Sequence, residues 1–149
     1  MTIQHEGGFL MSKIQHISGR IFSRMLREYD VDINPAQGRI MFVLWQEDAL
    51  PIRDLAKRTS LGKSTLTSML DRLEAAGLIV RERSEIDRRL IVVKRTEKDR
   101  SRQRTYEKVS EQMSAIYYAK LTKKEIASFE RTLVKILASL TEHEQGGEA

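Results

Sequence analysis

Ser84 to Val93 reads SEIDRRLIVV, an acid and two arginines set directly ahead of four apolar residues. A guanidinium holds phosphate or carboxylate through a fork of N–H donors, so its chemistry is anion recognition. Leu90 to Val93 reads as a buried strand, which puts Asp87, Arg88 and Arg89 at a turn at its mouth. Such a turn is either a solvated hairpin tip or a pair of arginines held out to a polyanion. The surrounding charge bears on that choice. Residues 81–108 hold eleven Lys and Arg against six Asp and Glu, and the remainder of the chain carries fifteen of each. All of the net charge of +5 therefore lies in this one segment. A local basic excess fits a polyanion partner, and a solvated helix face is the plainer reading.

Other chemistries are poorly supplied. There is no cysteine, which excludes disulfides, thiolate zinc sites and thiol redox sensing. His5, His16 and His143 are scattered, with no pair at metal-ligand spacing, so neither a metal nor another cofactor is expected. No glycine loop suited to phosphate and no nucleophile with a plausible base is present, which argues against an enzyme. No apolar run approaches the ~18 residues of a membrane span. The opening MTIQHEGGFLM lacks the basic segment and apolar stretch of a secretion signal, so a cytoplasmic protein with no membrane partner is expected. With 149 residues, 40% apolar and 32% charged, the chain is expected to form one globular domain over 1–149.

The elements that would position the arginines follow from apolar spacing. Leu10, Ile14, Ile17, Ile21 and Met25 mark a long first helix, which YDVDI breaks. Asn34, Pro35 and Gln37 form a helix start with a capping box. EDALP ends that second helix, and Asp54 to Arg58 makes a short third one. Ser60 to Gly62 is a tight turn. A fourth helix carries Leu66, Met69, Leu70 and Leu73 on one face, with Gly77 as its stop. Leu78 to Arg83 and Leu90 to Lys94 read as paired strands. Two short helices about a glycine turn, followed by a two-stranded ribbon, make a winged helix-turn-helix. Thr96 to Asp99 starts a fifth helix, and Thr122 to Glu125 is a capping box that opens a sixth. The closing EHEQGGEA should fray. The fold class is thus mainly α with a small two- to three-stranded antiparallel wing. The lobe spans 34–96, and the outer helices, 10–30 and 97–141, carry more apolar face than it can cover. They are expected to bury against each other, against a second copy, or both.

With its leucines inward, the fourth helix turns Ser64, Ser68, Asp71 and Ala75 outward, flanked by Thr67 and Arg72, with Lys63 at its N-terminus. Small hydroxyls suit close approach to base edges and phosphates, and a helix N-terminus offers free N–H groups. Ser64 and Thr65 serve equally well as plain helix caps. Candidates for lining a small-molecule pocket are His16 and Arg20 on the first helix and Met41 and Trp45 on the second. The plainer reading makes the first two a surface pair and the tryptophan core.

DLAKRTSLGKSTLTSMLDRLEAAGLIVRER and DRRLIVVKRTEK, at this spacing and between long helices, resemble the MarR family (multiple antibiotic resistance regulators) from about Ile14 to Leu140. The resemblance implies a winged-helix homodimer joined through its terminal helices, binding double-stranded DNA and repressing transcription. It implies release by a small phenolic or anionic effector. It places the helix over 62–76 in the major groove and Arg88 of the wing in the minor groove, and it pairs Arg89 with Asp71. Lys63, Ser64, Thr65, Thr67, Ser68, Arg72, Arg83 and Arg88 are the expected DNA contacts. Three positions depart from the family pattern. Arg95 replaces the usual Leu, weakening the wing base or adding a phosphate contact. Asp99 replaces a common Gly, where it fits a capping box. Arg53 replaces a capping Ser or Thr. The competing reading is a winged-helix protein-interaction module, which would need neither a polar reading face nor a basic wing.

Overall fold

The computed structural model describes residues 5–31 and 33–147. Asp32 of the YDVDI break, the first four residues of the opening stretch, and Glu148 and Ala149 of the expected fray lie outside them. Among the described residues the chain runs α1 (Gly7–Glu28), α2 (Pro35–Gln46), β1 (Leu50–Pro51), α3 (Ile52–Thr59), α4 (Lys63–Ala75), β2 (Ile79–Arg83), β3 (Ile91–Arg95), α5 (Glu97–Tyr117) and α6 (Lys123–Gly147). None of these helices is long and apolar enough to cross a membrane.

Two compact units emerge, Met1–Glu111 and Gln112–Ala149. In the first, the leucine face of α4 closes the core: Leu66, Leu70 and Leu73 are almost fully buried with Leu26, Ile40, Met41, Leu44, Leu55 and Val93. The start of α2 follows its sequence signal. Asn34 accepts from the Gln37 backbone and the Gln37 side chain accepts from the Asn34 backbone, each at 2.8 Å. The strands form one antiparallel sheet in the order β1-β3-β2, with Leu50 opposite Val93 and Arg83 opposite Ile91. EDALP therefore does more than end a helix. Its last two residues supply the third strand, and Pro51, which cannot donate a ladder hydrogen bond, sits at the sheet edge.

Helix ends show where local chemistry prevails. α4 stops at Gly77, whose φ of +78° follows the Ala76 cap, while Leu78 N–H reaches back to the Leu73 carbonyl. α3 begins at Ile52, two residues before the expected start, and no side chain caps it; Arg53 is exposed. In the second unit, Thr122 and Glu125 form the expected reciprocal cap at 3.1 Å each way. Tyr118 packs edge-on to Phe129 and donates to Glu130. The expected fray is corrected as far as the description reaches. α6 continues to Gly147, because nothing before its two terminal glycines breaks the helical ladder.

Candidate nucleic-acid interface

The outward face of α4 comprises Lys63, Ser64, Thr65, Thr67, Ser68, Asp71 and Arg72, all exposed. Lys63, Ser64, Thr67, Ser68 and Asp71 line one shallow depression on it. The N-cap is Gly62, and no side chain caps the helix, so neither Ser64 nor Thr65 is spent on the capping role open to it in sequence. Thr67 turns its hydroxyl back to the Lys63 carbonyl at 2.9 Å. The face is small-sided and polar, with backbone N–H groups at one end.

Between β2 and β3, in the turn from Ser84 to Leu90, Ile86 is 100% exposed and gives the tip no apolar anchorage. Hydrogen bonds hold the turn instead. Ser84 Oγ accepts from the backbones of Ile86 and Asp87, and Ser84 N–H donates to the Leu90 carbonyl. Asp87 accepts from the Arg89 backbone, Nε and NH2, each at 3.1 Å. That guanidinium fork, helped by the backbone N–H, holds the Asp87 carboxylate below its ordinary range. Arg83 donates to the Arg88 carbonyl across the wing. Arg88 is left exposed at the tip. The acid of the triplet thus organises the turn through Arg89, and both arginines are exposed at the tip.

The expected pair between Asp71 and Arg89 is not formed. Arg89 is engaged by Asp87, only two residues away, where little chain entropy opposes the contact. Asp71 pairs with Arg81 at 2.7 Å, and the same guanidinium reaches Glu74 at 2.6 Å. β2 leaves α4 through the Gly77 turn and brings Arg81 beside two carboxylates on successive turns of the helix. The Arg81 charge is correspondingly stabilised, first by Asp71 and then by Glu74. In sequence, Arg81 reads only as part of the basic excess. Its signal was the spacing from Glu74 across a glycine turn.

The start of α5 ties the far end of α4. Thr96 Oγ1 donates to the Gly77 carbonyl at 2.6 Å, and Lys98 Nζ donates to the Ala76 carbonyl at 2.7 Å. The second satisfies a carbonyl that the helix terminus leaves open, and the first engages the residue just beyond the cap. Two sequence expectations change at this junction. Asp99 takes only half of a capping box: its N–H donates to Thr96 Oγ1, but its carboxylate turns to Arg95 and Trp45. Arg95 is no phosphate contact, because its side chain is only 11% exposed and is paired inward. Burial in a hydrogen-bonded pair with Asp99 takes the place of the weakened wing base expected of a charge here.

The four candidate ligand residues separate. His16 and Arg20 line a depression on α1 with Arg24, Arg27 and Pro35, a basic site. Trp45 lines a different one, with Phe42, Gln103, Glu107 and Glu111, which is aromatic and acidic. Met41 is fully buried in the core and lines neither.

The sequence model of the MarR family matches residues 33–91, which span α2 to the start of β3. A transcriptional regulator of Methylorubrum extorquens, TtmR, is 32% identical over 92 residues, 62% of this chain and 46% of that protein. The matched stretch therefore spans about half the length of that relative. Among solved structures, a MarR-family transcriptional regulator from Silicibacter pomeroyi superposes with a TM-score of 0.74 at 26% identity, covering 89% of this chain and 88% of that one. BpsR of Bordetella bronchiseptica, described through the regulation of its DNA binding by 6-hydroxynicotinic acid, superposes with a TM-score of 0.81 at 21% identity, covering 91% and 96%. TtmR and the Silicibacter protein are transcriptional regulators, and BpsR is a DNA-binding protein.

Proposed function

We infer that this chain, a member of the MarR family of winged-helix regulators, is a sequence-specific DNA-binding transcriptional repressor that reads an inverted-repeat operator as a homodimer. The observation that carries this reading is the pairing of two exposed features in one lobe. α4 offers a small-sided polar face, and the wing holds Arg88 out on a turn built from hydrogen bonds. Ser64, Ser68 and Arg72 enter the major groove, and Arg88 enters the minor groove, with Lys63, Thr65, Thr67 and Arg83 on sugar and phosphate. Asp71 is compatible with this, because Arg81 neutralises it.

Dimerisation accounts for the apolar surface at both ends of the chain. Phe9 is 68% exposed on α1, and Val134 and Leu140 are 65% and 63% exposed on α6. A second copy covers each face. An effector is the remaining part. The depression on α1 with His16, Arg20, Arg24 and Arg27 suits an anionic aromatic ligand, in keeping with the hydroxynicotinate that regulates BpsR. Such a ligand would release this protein from DNA.

The test is footprinting of the DNA upstream of its own gene, at two salt concentrations and with or without 6-hydroxynicotinic acid. Two protected half-sites about 34 Å apart are expected, because two recognition helices in successive major grooves repeat at one helical turn. A single unsymmetric half-site would remove the homodimer from this reading. Equal affinity for every fragment would remove sequence-specific control.

A further inference from the structure

We propose that Arg95 and Asp99 form a buried clasp that fixes the base of the wing to α2 and α5, making both positioning residues for DNA recognition. The role in recognition follows from the DNA-binding reading above; the clasp itself follows from geometry. The Asp99 side chain is 3% exposed and that of Arg95 11%. Arg95 Nε donates to Asp99 Oδ2 at 2.5 Å, and Arg95 NH2 donates to Gln103 Oε1. Trp45 Nε1 donates to both oxygens of the same carboxylate, at 3.3 and 3.2 Å. Four side chains from β3, α2 and α5 thus meet on one charge pair. The Arg95 backbone makes a further tie, donating to Asp48 Oδ1 at 3.0 Å in the turn after α2.

The placement matters because Arg95 ends β3 and stands opposite Ile79, the first residue of β2. Fixing this one residue fixes the root of both strands, and the tip with Arg88 lies at their other end. Moving two charges out of water is costly, and an apolar pair would fill the space at least as favourably. What an apolar pair cannot supply is direction. The guanidinium fork sets the angle between β3 and the first turn of α5, and the indole N–H sets that turn against α2. The other charges nearby do not compete for the pair: Asp48 is engaged with Arg100 at 3.5 Å and with the Arg95 backbone, and Glu97 with Arg100.

Three variants test this, and Trp45, the sole tryptophan, reports on the clasp through its emission. Asp99→Asn removes a negative charge beside the DNA-binding lobe, so charge alone would tighten binding. The clasp requires the opposite: a roughly tenfold loss of operator affinity, a shifted Trp45 emission, and faster hydrogen exchange at Val92 to Arg95. Arg95→Lys keeps the charge without the fork and should fall between. The double variant Arg95→Leu with Asp99→Leu leaves no stranded buried charge and should melt close to the parent. It should still show the faster exchange in β3 and the weakened operator binding. If Asp99→Asn, or the folded double variant, keeps parental exchange in β3, the clasp does not set the wing. If exchange rises in β3 but operator affinity stays parental, the positioning role in recognition is wrong. Failure of the parent itself to bind DNA would defeat the DNA-binding reading and the positioning role, while emission and exchange would still decide the clasp.

Discussion

Within the Asp-Arg-Arg triplet each residue has a separate task. Asp87 builds the turn, Arg89 satisfies Asp87, and Arg88 is presented outward. Arg88 has little to pack against, so Arg88→Ala should change folding stability by no more than roughly 0.5 kcal/mol. Its effect on DNA should be larger. Operator and random DNA should both bind more weakly, with a salt slope shallower by about one unit, read by salt titration of affinity. Parental binding to both DNAs at every salt would leave the wing without a role. Arg81 has a different task, since it neutralises Asp71 on the reading face. Arg81→Ala leaves that carboxylate free to repel phosphate, whereas Asp71→Ala removes the repulsion with the partner. A double-mutant cycle on operator affinity should therefore be non-additive, with the double variant binding better than Arg81→Ala alone. Additive losses would mean the pair has no bearing on DNA.

Among the elements, α5 does two jobs within the first unit. Its first turn holds the end of α4 and the root of the wing. Further along, Tyr106 stacks edge-on against Phe22 of α1 and Trp45 of α2, with ring centroids 5.5 and 4.5 Å away. Its hydroxyl lies over Gly38, where a Cβ would collide with it, so the glycine is what lets α5 come this close to α2. Burial pushes the Tyr106 phenol up to about 12 from 10.0. Below pH 10 both folded and unfolded chains keep this phenol neutral. Above it the unfolded chain ionises first, so stability is lost as pH rises towards 12. The loss from this group should be on the order of 2 kcal/mol at the top of that window. Urea unfolding of the parent beside Tyr106→Phe, between pH 9 and pH 11.5, isolates the effect. Parallel pH profiles for the two proteins would show that the phenol is not the cause.

For the molecule as a whole, apolar side chains stand exposed on the helices near both ends of the chain. Among the described residues of α6, none is buried, although Val134, Leu137 and Leu140 lie on it. A chain ending at Leu121 lacks this helix entirely. If the homodimer reading holds, the truncated protein should lose the dimer, expose the apolar face of α1 and aggregate, as seen by light scattering. A soluble truncated monomer with full operator affinity would show that dimerisation is not needed.

Periods and caps were legible in the sequence because they are local. The leucine face of α4, the Asn34–Gln37 box, the Thr122–Glu125 box and the Gly77 stop all depend on residues within one or two turns of one another. The basic segment and the winged helix-turn-helix order were legible for the same reason. Partner choice was not, because a charged side chain can reach any neighbour the fold supplies. The family resemblance pairs Asp71 with Arg89, and only the path of β2 past α4 gives it Arg81 instead. Arg95 and Asp99 read separately as a weak wing base and a cap. Their common burial beside Trp45, 54 residues from Asp99, needs α2 and α5 to be packed together first. The third strand was allowed for but not located, since two residues carry no period and Leu50–Pro51 becomes a strand only when β3 lies alongside to pair with it.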